Sequence, residues 1–281
     1  MDLSQDAARL LVAVKSERPL VHNITNWVVT NVTANAALAL GASPVMAHAR
    51  EEVEEMARLS RALVLNIGTL TPSLVDSMLL AGRAANAVGC PVILDPVGYG
   101  ATTFRTESTH TLLKEVKVDM LRGNAAELAG VGGMAARIKG VDSGGTLDTG
   151  ATIARRVAGD YGLVAVVTGA TDYISDGCRL ARVANGHPWL TLVTGTGCVA
   201  TVVVAAFAAV EKDYLVAAAC ALACYGVAAE LAARSSGGPG TFAAALLDQL
   251  YNLQPEVVAQ KARVVVEPLG GEGECTATTA C

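Results

Sequence analysis

Short apolar runs alternate with amphipathic stretches along most of this chain. Residues 2–16 carry apolar side chains at helical spacing, which predicts an amphipathic helix. Runs rich in Val, Ile and Leu predict strands at 20–24, 43–46, 62–67, 91–94, 119–121 and 163–167. Helical patterns separate them at 31–40, 51–60, 74–87, 106–116 and 151–161. This alternation predicts an α/β fold with a central, mostly parallel sheet covered by helices on both faces.

The second half of the chain adds a hairpin and two apolar helices. Short segments at 173–175 and 179–183 predict the hairpin, and the runs 199–210 and 214–230 predict the buried helices. The last residues are rich in Gly, Glu and Thr, a composition that cannot bury a core. We therefore expect a single domain over residues 1–266 and a disordered C-terminal tail over 267–281.

Composition narrows the class of protein. Hydrophobic residues make up 52% of the chain and charged residues 17%, which suits helices packed on a buried sheet. The formal net charge of -5 gives no basic surface, so we expect no nucleic-acid partner. The N-terminus is polar, and the run 215–229 is shorter than the ~20 residues of a membrane span, so we expect no membrane association. Seven scattered cysteines favour reduced thiols and a cytoplasmic location.

Polar residues directly follow several predicted strands. Asp95, Arg122 and Thr168 all do so, and ligands of open α/β sheets bind at the carboxyl ends of the strands. Arg122 can form two parallel hydrogen bonds to phosphate oxygens, and the Thr168 hydroxyl can form another. Asp95 and Glu127 are candidate Mg²⁺ ligands, directly or through water. Each also has a simpler explanation, since Asp95 precedes Pro96 in a turn and Glu127 is one turn into a helix.

The segment 193–198 (VTGTGC) directly precedes the apolar run. Glycines there let an anion approach the unpaired amides at the start of a helix, so we expect a phosphate-binding loop. The helix start should lower the pKa of Cys198 and aim a thiolate at the reacting group. An ordinary glycine turn, a dinucleotide fingerprint at Gly195, Gly197 and Ala200, and an inert packed thiol stay open as alternatives. A Walker A loop is excluded, because no Gly-Lys-Ser/Thr follows.

Polar residues also cluster after the first predicted strand. Asn side chains both donate and accept hydrogen bonds, so this cluster could bind a small heterocycle. Helix capping and turn formation explain the same residues equally well. The cluster consists of Asn23, Asn26, Asn31, Thr33 and Asn35.

Several motifs together resemble the hydroxyethylthiazole kinase family. The resemblance extends over about residues 11–251. The motifs are PLVHNITN at 19–26, GASPVM at 41–46, LNIGTL at 65–70, DPVG at 95–98, RGNAAE at 122–127 and GTGC at 195–198. The resemblance implies a ribokinase-like fold and the phosphorylation of 4-methyl-5-(2-hydroxyethyl)thiazole by ATP and Mg²⁺ in thiamine biosynthesis or salvage. Trp27 departs from the family pattern, as does the chain beyond about residue 262.

The resemblance also implies a role for each candidate residue. Cys198 is expected to face the substrate hydroxyl as the catalytic residue, at a position where most ribokinase-like enzymes carry Asp. A homotrimer with sites between subunits is implied as well. The other implied roles are thiazole contacts for Met46 and Gly195, ATP contacts for Arg122 and Thr168, and metal binding for Asp95 and Glu127.

Two other readings of the same residues compete with a thiazole kinase. A ribokinase-like dehydratase of hydrated nicotinamide cofactors would carry Asp in place of Cys198 and would lack the Asn-rich segment. A nucleotide-binding protein without activity would be expected to have lost some of its phosphate and metal residues, and all four are present here.

Overall fold

One mixed sheet lies at the centre of the fold. The computed structural model describes residues 1–134 and 149–269, and within these ranges nine strands form the sheet in the order β2-β1-β3-β4-β5-β6-β7-β8-β9. The first six strands in this order are parallel, and β7, β8 and β9 are antiparallel. The strands are β1 (Leu20–Ile24), β2 (Ser43–Val45), β3 (Ala62–Asn66), β4 (Val92–Asp95), β5 (Met120–Asn124), β6 (Val164–Thr168), β7 (Asp172–Ser175), β8 (Arg179–Val183) and β9 (Val264–Pro268).

Helices cover both faces of this sheet, so the predicted α/β architecture is confirmed. One core contains the long apolar helices Thr196–Ala208 and Tyr214–Arg234, and the other contains helices such as Pro72–Ala87. The remaining helices in the described ranges are Ser4–Glu17, Thr30–Leu40, Val53–Leu59, Thr103–Glu115, Ala125–Val131, Thr149–Tyr161, Pro239–Asn252 and Pro255–Lys261, with a 3-10 turn at Pro188–Thr191.

Strand β3 shows why the apolar runs are continuous. Ala62 and Val64 point into one core, whereas Leu63 and Leu65 point into the other. Successive side chains of a strand face opposite sides, and both sides of this strand are covered. Every position of β3 is therefore buried, and its last residue, Asn66, is delivered to the carboxyl edge of the sheet.

Helix Tyr214–Arg234 is longer than the sequence suggested. It has 21 residues and is apolar enough to cross a membrane by length and composition, so the expectation that this run is too short was wrong. However, 89% of its most apolar window is buried inside the fold. Such burial is typical of the core helix of a globular protein.

The C-terminal region and one cysteine also differ from expectation. Strand β9 was not predicted, and it includes Glu267 and Pro268 of the expected tail because Val264 and Val266 pack into the core. Residues 270–281 lie outside the described residues. Among the described cysteines, Cys178 is disulfide-bonded, so the expectation of reduced thiols was wrong at this position. The free thiols are those of Cys90, Cys198, Cys220 and Cys224.

Candidate active site

A cavity of about 750 Å³ opens at the carboxyl ends of β4, β5 and β6. Parallel strands carry their terminal side chains to a common edge, which is why residues far apart in sequence meet here. The residues that follow these strands therefore converge, as predicted, beside the glycine loop (residues 193–198). Six of the seven predicted site residues line the cavity, namely Asp95, Arg122, Glu127, Thr168, Gly195 and Cys198.

The glycine loop ends at the start of helix Thr196–Ala208. Gly195 precedes the helix with a left-handed φ of 90°, which an L-residue rarely adopts. Among the described residues, no side chain caps this helix, so its first amides are available to an anion in the cavity. The hydroxyl of Thr196 donates to the backbone carbonyls of Leu190 and Val193, which fixes the loop against the preceding 3-10 turn.

Arg122 lies directly against this helix start. A Cβ atom at Gly197 would be 3.0 Å from Nη1 of Arg122, so glycine allows the guanidinium to reach the first turn. Nη2 of Arg122 donates to the Thr168 hydroxyl over 2.6 Å, and Nη1 is 3.7 Å from Oδ2 of Asp95. The result is a buried positive charge beside unpaired amides, which favours an anionic ligand.

Cys198 is buried among amide donors. Nδ2 of Asn66 lies 3.3 Å from its Sγ, and Nδ2 of Asn26 lies 3.6 Å from it. Burial, reinforced by the Asp95 carboxylate, raises the pKa of the Cys198 thiol to about 11. The prediction of a lowered pKa was therefore wrong, because the loss of solvent outweighs the stabilising contacts of the thiolate. Cys198 is a neutral thiol at neutral pH.

Asp95 is fully buried at the end of β4. Its Oδ2 accepts hydrogen bonds from Asn66 over 2.9 Å and from the Thr201 hydroxyl over 2.7 Å. Its Oδ1 has no hydrogen-bond partner among the described residues. Burial raises the pKa of Asp95 to about 6, although the nearby Arg122 opposes this shift. A buried carboxylate oxygen without a partner is suited to a ligand or a cation.

Glu127 is held by backbone amides rather than solvated on a helix surface. Its Oε1 accepts from the amide of Gly98 over 2.8 Å, and its Oε2 accepts from the amide of Asn124 over 2.9 Å. The second bond is part of a capping box at the start of helix Ala125–Val131. Glu127 lines the cavity while both of its oxygens are engaged.

Met46 is the one predicted residue that the structure does not bring to the cavity. It is half-buried in the segment after β2, where its carbonyl lies 2.8 Å from Nδ1 of His48. Of the Asn-rich cluster, Asn26 is the member whose side chain contacts a cavity residue, with its Nδ2 3.6 Å from Sγ of Cys198. The others serve the local fold, since Asn23 bonds the carbonyl of Val21, Thr33 bonds that of Val29, and Asn31 and Asn35 bond each other on an exposed helix face.

Four further residues line the cavity or hydrogen-bond to its lining, and they were not predicted from the sequence. Asn66 is the last residue of β3 and could have been found by the same strand-end rule that found Asp95. Asp172, which lines the cavity at the start of the antiparallel β7, accepts from the amide of Gly169. Thr201 and Tyr225 come from helix interiors, and no sequence signal marks them. The Tyr225 hydroxyl donates to the Thr196 carbonyl over 2.9 Å and so braces the loop.

Known proteins share both the sequence and the fold of this chain. The sequence profile of the hydroxyethylthiazole kinase family matches residues 11–256. A hydroxyethylthiazole kinase of Moorella thermoacetica is 56% identical over 264 residues, which cover 94% of this chain and 99% of the relative. The solved structure of a hydroxyethylthiazole kinase protein from Pyrococcus horikoshii has a TM-score of 0.85 and 44% identity, covering 93% of this chain and 99% of that chain.

A more distant likeness concerns the fold alone. A ribokinase-like superfamily protein from Enterococcus faecalis has a TM-score of 0.64 at 13% identity, covering 88% of this chain and 95% of that chain. The fold is thus ribokinase-like. The profile match spans β4, β5 and β6, whose ends build the cavity, and the glycine-containing segment 193–198 beside them. On this match and on the high identity to its relatives, the chain belongs to the hydroxyethylthiazole kinase family.

Proposed function

We propose that this protein transfers the terminal phosphoryl group of ATP to the hydroxyl of 4-methyl-5-(2-hydroxyethyl)thiazole, in thiamine diphosphate biosynthesis or salvage. The observation that carries the proposal is that uncapped helix amides, Arg122 and Thr168 lie beside Cys198 in one and the same cavity. Family membership supports ATP as the phosphoryl donor.

The positively charged side of the cavity suits the phosphates of ATP. Arg122 is buried and donates to the Thr168 hydroxyl, which holds both side chains at the same wall of the cavity. Phosphoryl transfer depends mainly on positioning and on stabilising charge spread over the phosphoryl oxygens. We assign Arg122 and Thr168 to ATP, and the first amides of helix Thr196–Ala208 to the transferred phosphoryl group.

Asp95 and Glu127 are the residues that would hold Mg²⁺. Among residues 1–134 and 149–269, no group of three or more His, Cys, Asp or Glu residues could hold a metal ion. Mg²⁺ usually needs only one or two carboxylates beside substrate phosphates and water. The unpaired Oδ1 of Asp95 fits direct contact, and Glu127, with both oxygens engaged, fits contact through water. The bound ion would neutralise charge on the phosphates.

Cys198 is assigned to the alcohol. It lines the cavity at the first helical turn, next to the amides that would hold the transferred group. Since its thiol is neutral, its role is to orient the hydroxyl rather than to deprotonate it before the transfer.

The thiazole ring is assigned to Gly195 and Met46, and the second assignment requires more than one chain. Met46 does not line the cavity of its own chain. Near it, the rings of Trp27 and His48 stack at 5.1 Å, and Trp27 and Val28 are 64% and 67% exposed. This exposed apolar surface supports a homotrimer in which one subunit supplies Met46 to the site of another. The use of ATP as the phosphoryl donor supports a cytoplasmic location.

One incubation tests the proposal. The protein is mixed with ATP, Mg²⁺ and the thiazole alcohol, and the thiazole phosphate ester is measured by mass spectrometry. Three controls are run: one without the alcohol, one without Mg²⁺, and one in which a hydrated nicotinamide cofactor replaces the alcohol. We expect the ester only in the complete reaction. ATP binding without any ester would refute the proposed activity, and water loss from the nicotinamide cofactor would indicate a dehydratase.

A further inference from the structure

Asn66 contacts both Asp95, which the proposed function assigns to Mg²⁺, and Cys198, which it assigns to the alcohol. It is 1% exposed and lies at the end of β3, between β1 and β4 in the sheet. Its Nδ2 donates to Oδ2 of Asp95 over 2.9 Å and is 3.3 Å from Sγ of Cys198. Its Oδ1 accepts from Nδ2 of Asn26 over 2.8 Å and from the amide of Gly68 over 3.0 Å.

We propose that Asn66 is a positioning residue of the phosphoryl transfer, one that fixes the Cys198 sulfur relative to the Asp95 carboxylate. The inference rests on the proposed function, because it concerns the geometry of that reaction. Asn66 itself does not line the cavity, so it acts through its neighbours rather than by touching the substrate.

Only an asparagine satisfies all four contacts of this position. A side-chain amide has two N–H donors and an oxygen with two lone pairs, and each of these is used here. Aspartate of the same shape has no donor and would place a second charge against Asp95. Leucine has neither donor nor acceptor, and serine has a single donor for two acceptors. The residue type is therefore tied to the arrangement of Cys198 and Asp95.

The position of the Cys198 sulfur follows from the same contacts. Its Sγ faces the side-chain amides of Asn66 and Asn26 on the protein side, and Cys198 also lines the cavity. Asn66 is the nearer donor, at 3.3 Å against 3.6 Å for Asn26. Asn66 thereby fixes the sulfur relative to the cavity in which the proposed function places the substrate hydroxyl. Without Asn66, the more distant amide of Asn26 is left to hold the sulfur.

The consequence for catalysis is specific. Loss of Asn66 should lower kcat by about 100-fold, the size of effect that a misplacement of about 1 Å can cause. The KM for ATP should change much less than kcat, because Asn66 is bonded to Asp95 but not to Arg122, Thr168 or the helix amides that are assigned to the phosphates. A residue that served folding alone would leave kcat per folded molecule unchanged.

A double-mutant cycle tests this inference. The variants are Asn66→Leu, Cys198→Ala and their combination, with kcat measured per mole of folded enzyme. Because residues that act through one another are non-additive, Asn66→Leu should cost about 100-fold in the wild type and at most about tenfold in the Cys198→Ala background. Ser175→Ala serves as a matched control, since Ser175 is buried and its hydroxyl donates to the Arg179 carbonyl in the β7–β8 hairpin. Its kcat should stay at the wild-type value.

The outcomes separate this inference from the proposed function. A wild-type protein that makes no thiazole phosphate ester contradicts the proposed function itself. An active wild type with an equal loss from Asn66→Leu in both backgrounds, or with an unchanged kcat, overturns the role of Asn66. If Asn66→Leu does not fold, Asn66→Ser decides, because its single donor should give a kcat between the wild type and about 1% of it. An unchanged kcat in Asn66→Ser also overturns the role.

Discussion

Gly195→Ala is expected to destabilise the protein more than Gly177→Ala, although both glycines have a φ of 90°. The two sites differ in the space around the added methyl group. At Gly195 a Cβ atom would lie 2.8 Å from Cγ1 of Val29, whereas at Gly177 the nearest atom is a backbone nitrogen at 3.9 Å. The substitution Gly177→Ala therefore measures the free-energy cost of the left-handed backbone alone. Gly195→Ala adds the cost of a steric overlap.

The two costs have known magnitudes. A left-handed backbone costs an L-residue roughly 1–2 kcal/mol relative to glycine. Overpacking a filled core by one methyl group adds about 1–3 kcal/mol. For a domain of this size, each kcal/mol lowers the Tm by about 2–4 °C. Gly195→Ala should thus unfold several degrees below Gly177→Ala.

Thermal and urea unfolding of the ligand-free protein provide the measurement. Val29→Ala is combined with Gly195→Ala, because the smaller side chain removes the overlap and leaves the backbone cost. The combined variant should lose less stability than the sum of the two single changes, by about 1–3 kcal/mol. Equal destabilisation by Gly195→Ala and Gly177→Ala, or strict additivity with Val29→Ala, would show that the overlap is relieved by movement of the loop.

Three further predictions concern the site and its surroundings. Cys198→Ala should lower kcat while ATP affinity, measured by calorimetry, changes little; a collapse of ATP affinity would mean that the residue is structural. Asp95→Asn should raise the Mg²⁺ requirement more than Glu127→Gln, because the Oδ1 of Asp95 is unpaired whereas both Glu127 oxygens bind amides, and unchanged Mg²⁺ titrations would refute this assignment. Burial lowers the pKa of His22 from its ordinary value to about 4, so that, as the pH falls, His22 is protonated in the unfolded chain before it is protonated in the folded protein. The stability that the neutral ring contributes is present above about pH 6.5 and is lost toward pH 4, by up to about 3 kcal/mol relative to His22→Gln in urea unfolding; parallel pH curves for the two proteins would refute it.

The sequence alone predicted strands β1 to β8 and the edge of the sheet at which the site lies. Strands β1 and β8 have the predicted bounds, and β2 to β7 differ by a few residues at either end, because the apolar runs of a doubly covered sheet are distinctive. The strand-end rule then brought Asp95, Arg122 and Thr168 together without any knowledge of contacts. It depends only on the parallel direction of the strands.

Properties that depend on burial could not be read from the sequence. The glycine loop predicted a lowered pKa for Cys198, but the depth of the residue and the nearness of Asp95 decide the direction of the shift. Glu127 matched an exposed helix position, whereas its partner Gly98 comes from another loop. Met46 was assigned to the site from the sequence, but it does not line the cavity of its own chain.

A neutral Cys198 is compatible with phosphoryl transfer to an alcohol. The transition state is loose in most accounts, so the hydroxyl oxygen gains little bonding to phosphorus before the bond to the leaving group is largely broken. Early deprotonation therefore contributes little, and the field that stabilises the phosphoryl charge contributes most. Arg122 is buried beside Cys198, whose own burial raises its pKa to about 11. Since electrostatic interactions strengthen as the local dielectric falls, the buried environment that keeps the thiol protonated also strengthens the attraction between Arg122 and negative charge on the phosphates.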